Sequence, residues 1–278
     1  MSLGILTNVA ATYAQNNLNQ TQGSLQNVLQ QLSSGSRINS GADDAAGLSI
    51  ADGLKANEAA LTQSAQNAQN GVGLLQTADG ALAQVTNLLT RAVTLATEAS
   101  NSTLNASQLT AADTEFQSIV TEIGNIGTST NFNGNQVFTA TANSIVTTDG
   151  TTGGTTTFAP VVGVLTSTSI GGTAVTLGSD VLTSNTAAGS ALTDVTAAIA
   201  AVAAQRGTIG ASINQLTAAS NVASTEQVNL SSAESNIRST NYGQATSDLA
   251  KYQVLSQTGI SALAQANSVQ QEILKLLQ

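Results

Sequence analysis

The sequence predicts a mainly α-helical protein: a long antiparallel helical bundle or coiled coil formed by both chain ends, with a β-hairpin and a small β-rich central insertion. Three observations carry that reading. Leu and Ala recur every seven residues over long stretches. The helical period vanishes between Thr139 and Asn185, where Thr, Gly and Val take over. Only 3% of the residues are aromatic and much of the apolar content is Ala, which suits thin, closely packed helical layers.

The elements follow in order. Leu18, Leu25 and Leu32 lie seven apart with Val28 and Leu29 between them, which makes an amphipathic helix. Ser33-Ser34-Gly35 and Asn39-Ser40-Gly41 break it, and Asp43 and Asp44 suit the start of the next helix. Leu54, Leu61, Ala68, Leu75, Leu82, Leu89 and Ala96 then keep the seven-residue interval without a break, predicting a rod from Asp44 to Ser100. Its length is about 85 Å at the usual rise per residue. Phe116, Ile119, Val120 and Ile123 mark one face of a helix over Ala111 to Ile126. Asn133-Gly134 between Phe132 and Val137-Phe138 reads as a hairpin, because Asn-Gly supplies the positive φ angles of a type I′ turn. Helical spacing returns after Asn185 in Leu192, Val195, Ile199, Val202, Ile209, Ile213 and Leu216, and again from Leu249 to Leu276.

Composition removes whole classes of function. With no Cys and no His in 278 residues there is no thiol nucleophile, disulfide, imidazole base or common zinc site. No enzyme role, metal or cofactor is assigned. The net charge is −9 and the seven Lys and Arg are scattered singly, so nucleic acid is not an expected partner. No apolar run approaches the roughly 20 residues of a membrane span, and the N-terminus lacks the pattern of a cleaved secretory signal. Charge makes up 8% of the chain and its place is taken by Ser, Thr, Asn and Gln, roughly 42% of the residues. Arg37 is the first charged residue, so the preceding amphipathic arm is wholly neutral, as expected of a helix buried against copies of itself.

Three blocks of sequence belong together. The first is Asn16-Asn17-Leu18-Asn19 leading through Leu32-Ser33-Ser34-Gly35 into Arg37-Ile38-Asn39-Ser40-Gly41-Ala42-Asp43-Asp44-Ala45-Ala46-Gly47-Leu48. The second is Asn131-Phe132-Asn133-Gly134, and the third is Ala262-Leu263-Ala264-Gln265-Ala266-Asn267 before Ile273 to Leu277. In this order they resemble bacterial flagellin, and the resemblance implies a self-assembling structural subunit of the flagellar filament that serves swimming motility. It implies an inner coiled-coil domain from residues 1–41 and 236–278, an outer helical rod from 42–138 and 186–235, and a short variable segment at 139–185. Implied partners are further copies of the chain, the flagellar export apparatus, an export chaperone and the filament cap. The implied location is the extracellular flagellum, reached without a cleaved signal peptide. A hook-filament junction protein shares such terminal helices, and a chemoreceptor-like signalling coiled coil shares the Ala, Gln and Ser heptads; these stand as the alternatives.

Residue roles follow. A neutral arm with one apolar stripe does not offset its ordering entropy alone. Leu18, Leu25, Leu32, Leu249, Leu263, Ile273 and Leu276 are therefore expected at subunit contacts, a private intramolecular coiled coil being the other reading. Arg37, Asp43 and Asp44 form the one dense charge cluster of the N-terminal third, suited to helix capping or to pairing with each other or a neighbouring subunit. By resemblance, Arg91, Leu95 and Glu115 match flagellin positions contacted by the innate immune receptor for flagellin. The same residues also suit a surface ion pair with Leu95 in packing.

Overall fold

The computed structural model describes residues 8–141, 143–148, 154–170, 172–175 and 177–276, with side chains throughout these stretches except at 273–276. The expected contact side chains of Ile273 and Leu276 lie outside the described residues. The helices are α1 (Val9–Ser34), α2 (Ala45–Ala99), α3 (Ala106–Ser129), α4 (Asn185–Arg238) and α5 (Tyr242–Leu276). Between α3 and α4 lie short antiparallel strands: β1 (Asn131–Phe132) with β2 (Asn135–Gln136), β3 (Ile145–Thr148) with β4 (Thr155–Phe158), and β5 (Leu165–Thr166) with β6 (Ser169–Ile170) and β7 (Thr173–Ala174). The chain divides into two compact units, Met1–Ala56 with Leu230–Gln278, and Asn57–Asn229. The breaks legible in sequence lie near residues 35–44, whereas the division falls inside the continuous helices α2 and α4.

In the first unit α1 and α5 run antiparallel against each other. The Asn8 side chain caps α1 by accepting from the Ala11 N–H, and its amide donates to the Ala266 carbonyl at 2.9 Å. Leu18 is buried against Gly259, where an added Cβ would lie 3.2 Å from Leu18 Cδ1. At the other end α1 stops on Gly35, whose φ of 70° only glycine adopts cheaply, with the Tyr242 hydroxyl closing over it.

In the second unit the sustained heptads of α2 are inside: Leu61, Ala68, Leu75, Leu82, Leu89 and Ala96 are all buried. From Ala68 onward they share a core with Phe116, Val120 and Ile123 of α3 and with Ala188, Ala191, Val195, Ala198, Val202 and Ile209 of α4. α3 begins five residues before the expected start. The signal is a capping box: the Asn105 side chain accepts from the Gln108 N–H, and Gln108 Oε1 accepts from the Asn105 N–H. The hairpin turns as read, with φ of 50° at Asn133 and 80° at Gly134. α4 contains an 18-residue stretch of mean hydropathy 1.5, long and apolar enough by composition to cross a membrane. Dispersed Ala and Val raise its hydropathy without forming a continuous apolar run, and its Ala188 to Ile209 face is packed in the core.

Candidate assembly interface

The neutral terminal arm folds onto a partner from its own chain. Leu18 and Val28 are buried on α1, while Leu25, Leu32, Leu249 and Leu263 are half-buried in the same unit. The stripe thus has an intramolecular partner in α5, the arrangement of the other reading. A different set of apolar side chains faces outward: Val9, Tyr13 and Leu29 on α1, and Val254, Leu255, Ile260 and Val269 on α5. Leu29, Leu255, Ile260 and Val269 belong to the helical pattern legible in sequence but not to the expected contact set, and Val9, Tyr13 and Val254 were not singled out. Their signal is the lack of charge around them, since Lys251 and Asp248 are the charged residues between Tyr242 and Gln271.

The segment joining α1 to α2 is stitched to the segment joining α4 to α5 by backbone. Ser36 and Ser239 form an antiparallel bridge, the Arg37 N–H donates to the Arg238 carbonyl at 2.6 Å, and the Thr240 N–H donates to the Gly35 carbonyl at 3.0 Å. The Arg37 guanidinium adds a bond to the Ile237 carbonyl at 3.0 Å. Arg37 is therefore bound to this crossing, and among the described ion pairs none joins it to Asp43 or Asp44. Asp44 caps α2 by accepting from the Gly47 N–H. Asp43 accepts from the Asn39 and Ser40 N–H groups and the Ser40 hydroxyl. These bonds hold its carboxyl below the usual carboxylate range, the Asn39 backbone bond first. The bend they stabilise keeps that contribution above the ordinary carboxylate pKa and loses it as the pH falls through the depressed value.

In the second unit Arg91 and Glu115 form a two-pronged pair, Nε to Oε1 at 2.7 Å and Nη2 to Oε2 at 3.0 Å, joining α2 to α3. The bonds raise the Arg91 pKa and lower that of Glu115. Both side chains are about half exposed, so water screens the pair and it adds little to stability. Leu95 is 4% exposed and belongs to the core, which leaves Arg91 and Glu115 as the surface of that triad. Sequence reasoning did not single out the matching pair of Arg206 with Asp79, 2.7 Å apart, which ties α4 to α2.

A unit made of two long paired terminal helices with exposed apolar side chains and few charges, and a second unit made of long helices with small antiparallel sheets, define a structural helical protein. Comparison with known proteins makes this specific. A family model described as the bacterial flagellin N-terminal helical region matches residues 5–143, and one described as the bacterial flagellin C-terminal helical region matches residues 192–277. A flagellin of Halalkalibacterium halodurans is 32% identical over 97% of this chain and 98% of its own. Flagellin 1 of Proteus mirabilis is 39% identical over 54% of this chain and 41% of its own. The crystal structure of Bacillus cereus flagellin is similar at 29% identity, covering 56% of this chain and 88% of that one, with a TM-score of 0.46. The chain belongs to the bacterial flagellin family. It is a structural subunit of the flagellar filament and not an enzyme.

Proposed function

We propose that the α1–α5 pair is the part of the chain that meets neighbouring subunits, through the outward side chains Val9, Tyr13, Leu29, Val254, Leu255, Ile260 and Val269. The carrying observation is that these large apolar groups stand exposed on a helix pair almost without charge, where contact with another surface would offset their hydration cost. Leu18, Leu25, Leu32, Leu249 and Leu263 support the same contacts by holding the pair together, and Ile273 and Leu276 extend the apolar content of α5 in sequence. Arg37, Asp43 and Asp44 set the path between α1 and α2. Residues 1–41 and 236–278 form the inner layer of the filament, 42–138 and 186–235 the outer shell, and 139–185 its surface insertion.

The chain reaches the cell exterior through the flagellar export apparatus, attended by an export chaperone and inserted beneath a filament cap, without loss of a leader. The test uses shed filaments dissociated by heat or acid and returned to neutral pH with short seeds. Long uniform tubes in the electron microscope and an intact mass equal to that of the whole chain are expected. Persistent monomers under all seeded conditions overturn the assembly reading, and a mass shortened at the N-terminus overturns the export reading.

Arg91 and Glu115 also offer a paired, half-exposed surface to the innate immune receptor for flagellin, with Leu95 acting from beneath them by packing. Arg91→Ala in the monomer is expected to weaken receptor capture at least about tenfold, the scale of an arginine at an interface centre, without lowering the unfolding temperature by more than a degree or two. Unchanged capture sinks this role.

A further inference from the structure

The short tract that carries the chain from the insertion into α4 is held by its backbone at two points. The Gln117 side chain of α3 donates to the Asp180 carbonyl at 2.6 Å, and Asp113 of α3 accepts from the Leu182 N–H at 2.7 Å. The Asp180 side chain reaches the interior with one oxygen. Its Oδ2 is buried and receives no hydrogen bond from any described group. Among the described residues, the charged groups that act on this tract are Asp113 from α3, which accepts the Leu182 N–H, and Asp194 from α4, which faces the Asp180 carboxyl. Two ionised carboxylates are acceptors only, so they cannot bond to each other until one carries a proton. A buried acceptor without a donor costs free energy, and a proton on Asp180 turns it into the missing donor.

We propose that Asp180 and Asp194 form a one-proton clasp that fastens this return tract, residues 177–184, to α4 in acid and lets it open as the proton leaves. The clasp is a feature of the single chain and is independent of how copies assemble. Burial first, then the charge of Asp194 and a hydrogen bond to it, push the Asp180 carboxyl up to about 6, against 3.8 for a free Asp. The closed state thus binds a proton that the open state releases across that interval. Closure is complete below about pH 4, weakens as the pH rises, and is weakest above about 6. This slope is opposite to that of Asp43 and Glu115, whose depressed values protect the fold until the pH falls.

The test is hydrogen exchange of the Leu182 amide in the full-length monomer between pH 4 and 8, corrected for the intrinsic exchange rate. The wild-type opening equilibrium is expected to rise about tenfold per pH unit between about 4 and 6, on the order of 100-fold in total, and then to level off. Asp180→Asn, which carries its own donor, abolishes the rise. Asp194→Asn shifts the rise to lower pH, and it decides the matter should the first variant prove poorly folded. A wild-type profile without the rise, or one that both variants leave unchanged, overturns the clasp.

Discussion

Leu255→Asp combined with Ile260→Asp is expected to stop filament growth while leaving the monomer's helix content and unfolding temperature close to those of the wild type. Both side chains are already about half exposed on α5, so in the monomer little packing is lost. In the polymer each would cover its remaining apolar surface, worth about 1 kcal/mol per residue. Two carboxylates forced into a neutral contact add a desolvation penalty of at least that size. A combined loss near 3 kcal/mol raises the threshold concentration for assembly roughly 100-fold. Sedimentation of seeded samples over a concentration series checks this. A wild-type threshold would move the subunit contact off this face. Leu18→Asp is the informative contrast, because Leu18 is buried against Gly259 and its loss should unpair α1 from α5 in the monomer itself.

Gly127→Ala should be the most damaging single methyl group in the second unit. Gly127 is buried in α3 where β5 crosses it, and a Cβ there would fall on the carbonyl oxygen of Leu165, deep inside van der Waals contact. A backbone atom cannot swing aside as a flexible side chain does, so β5 must lift off α3. The expected cost is about 3 kcal/mol, at the upper end for overpacking, or a fall of about 6–12 °C in unfolding temperature for a unit of this size. Gly124→Ala is the control on the same helix. Nothing lies within 4 Å of a Cβ at that position, and the substitution should stabilise by up to about 1 kcal/mol. Equal effects from both would show that helix propensity, and not the approach of β5, governs Gly127.

The parts of this fold that were legible in sequence are those where one residue type does one job. Leu at intervals of seven in α2 became the core, and Asn133-Gly134 became the hairpin turn, because few other residues adopt those angles. The buried face of α4 was harder to read. Ala188, Ala191 and Ala198 are fully buried while Ala200, Ala203 and Ala204 on the same helix are exposed, and a residue so small satisfies either environment. Gln205 is also in the interior, its amide donating to the Val161 carbonyl at 2.9 Å, a partner that lies 44 residues away. The candidate site was legible to the same degree. The stripe through Leu18 announced that α1 has an apolar face, but periodicity within one helix does not say which helix covers it. The outward side chains of α5 lie off the expected contact set, whereas a surface Arg91–Glu115 pair with Leu95 in packing was one of the two readings the sequence offered.

The backbone stitch at Ser36 and Ser239 has a kinetic consequence. Ser36 Oγ donates to the Arg238 carbonyl across 202 residues, so the first helix made must wait for the last before its apolar face is covered. Closing a flexible loop of that length costs roughly 5 kcal/mol in chain entropy. The second unit is built from nearer contacts, such as Arg91 to Glu115 at a separation of 24, Asn67 to Val146 at 79 and Asp79 to Arg206 at 127. Its collapse removes most of that entropy before the terminal helices meet. The order of folding thus runs from the middle of the chain outward, and α1 and α5 zip together last. A chain stalled during synthesis has its second unit partly built and its N-terminal helix bare, and it is in that interval that the protein is most open to aggregation or to capture.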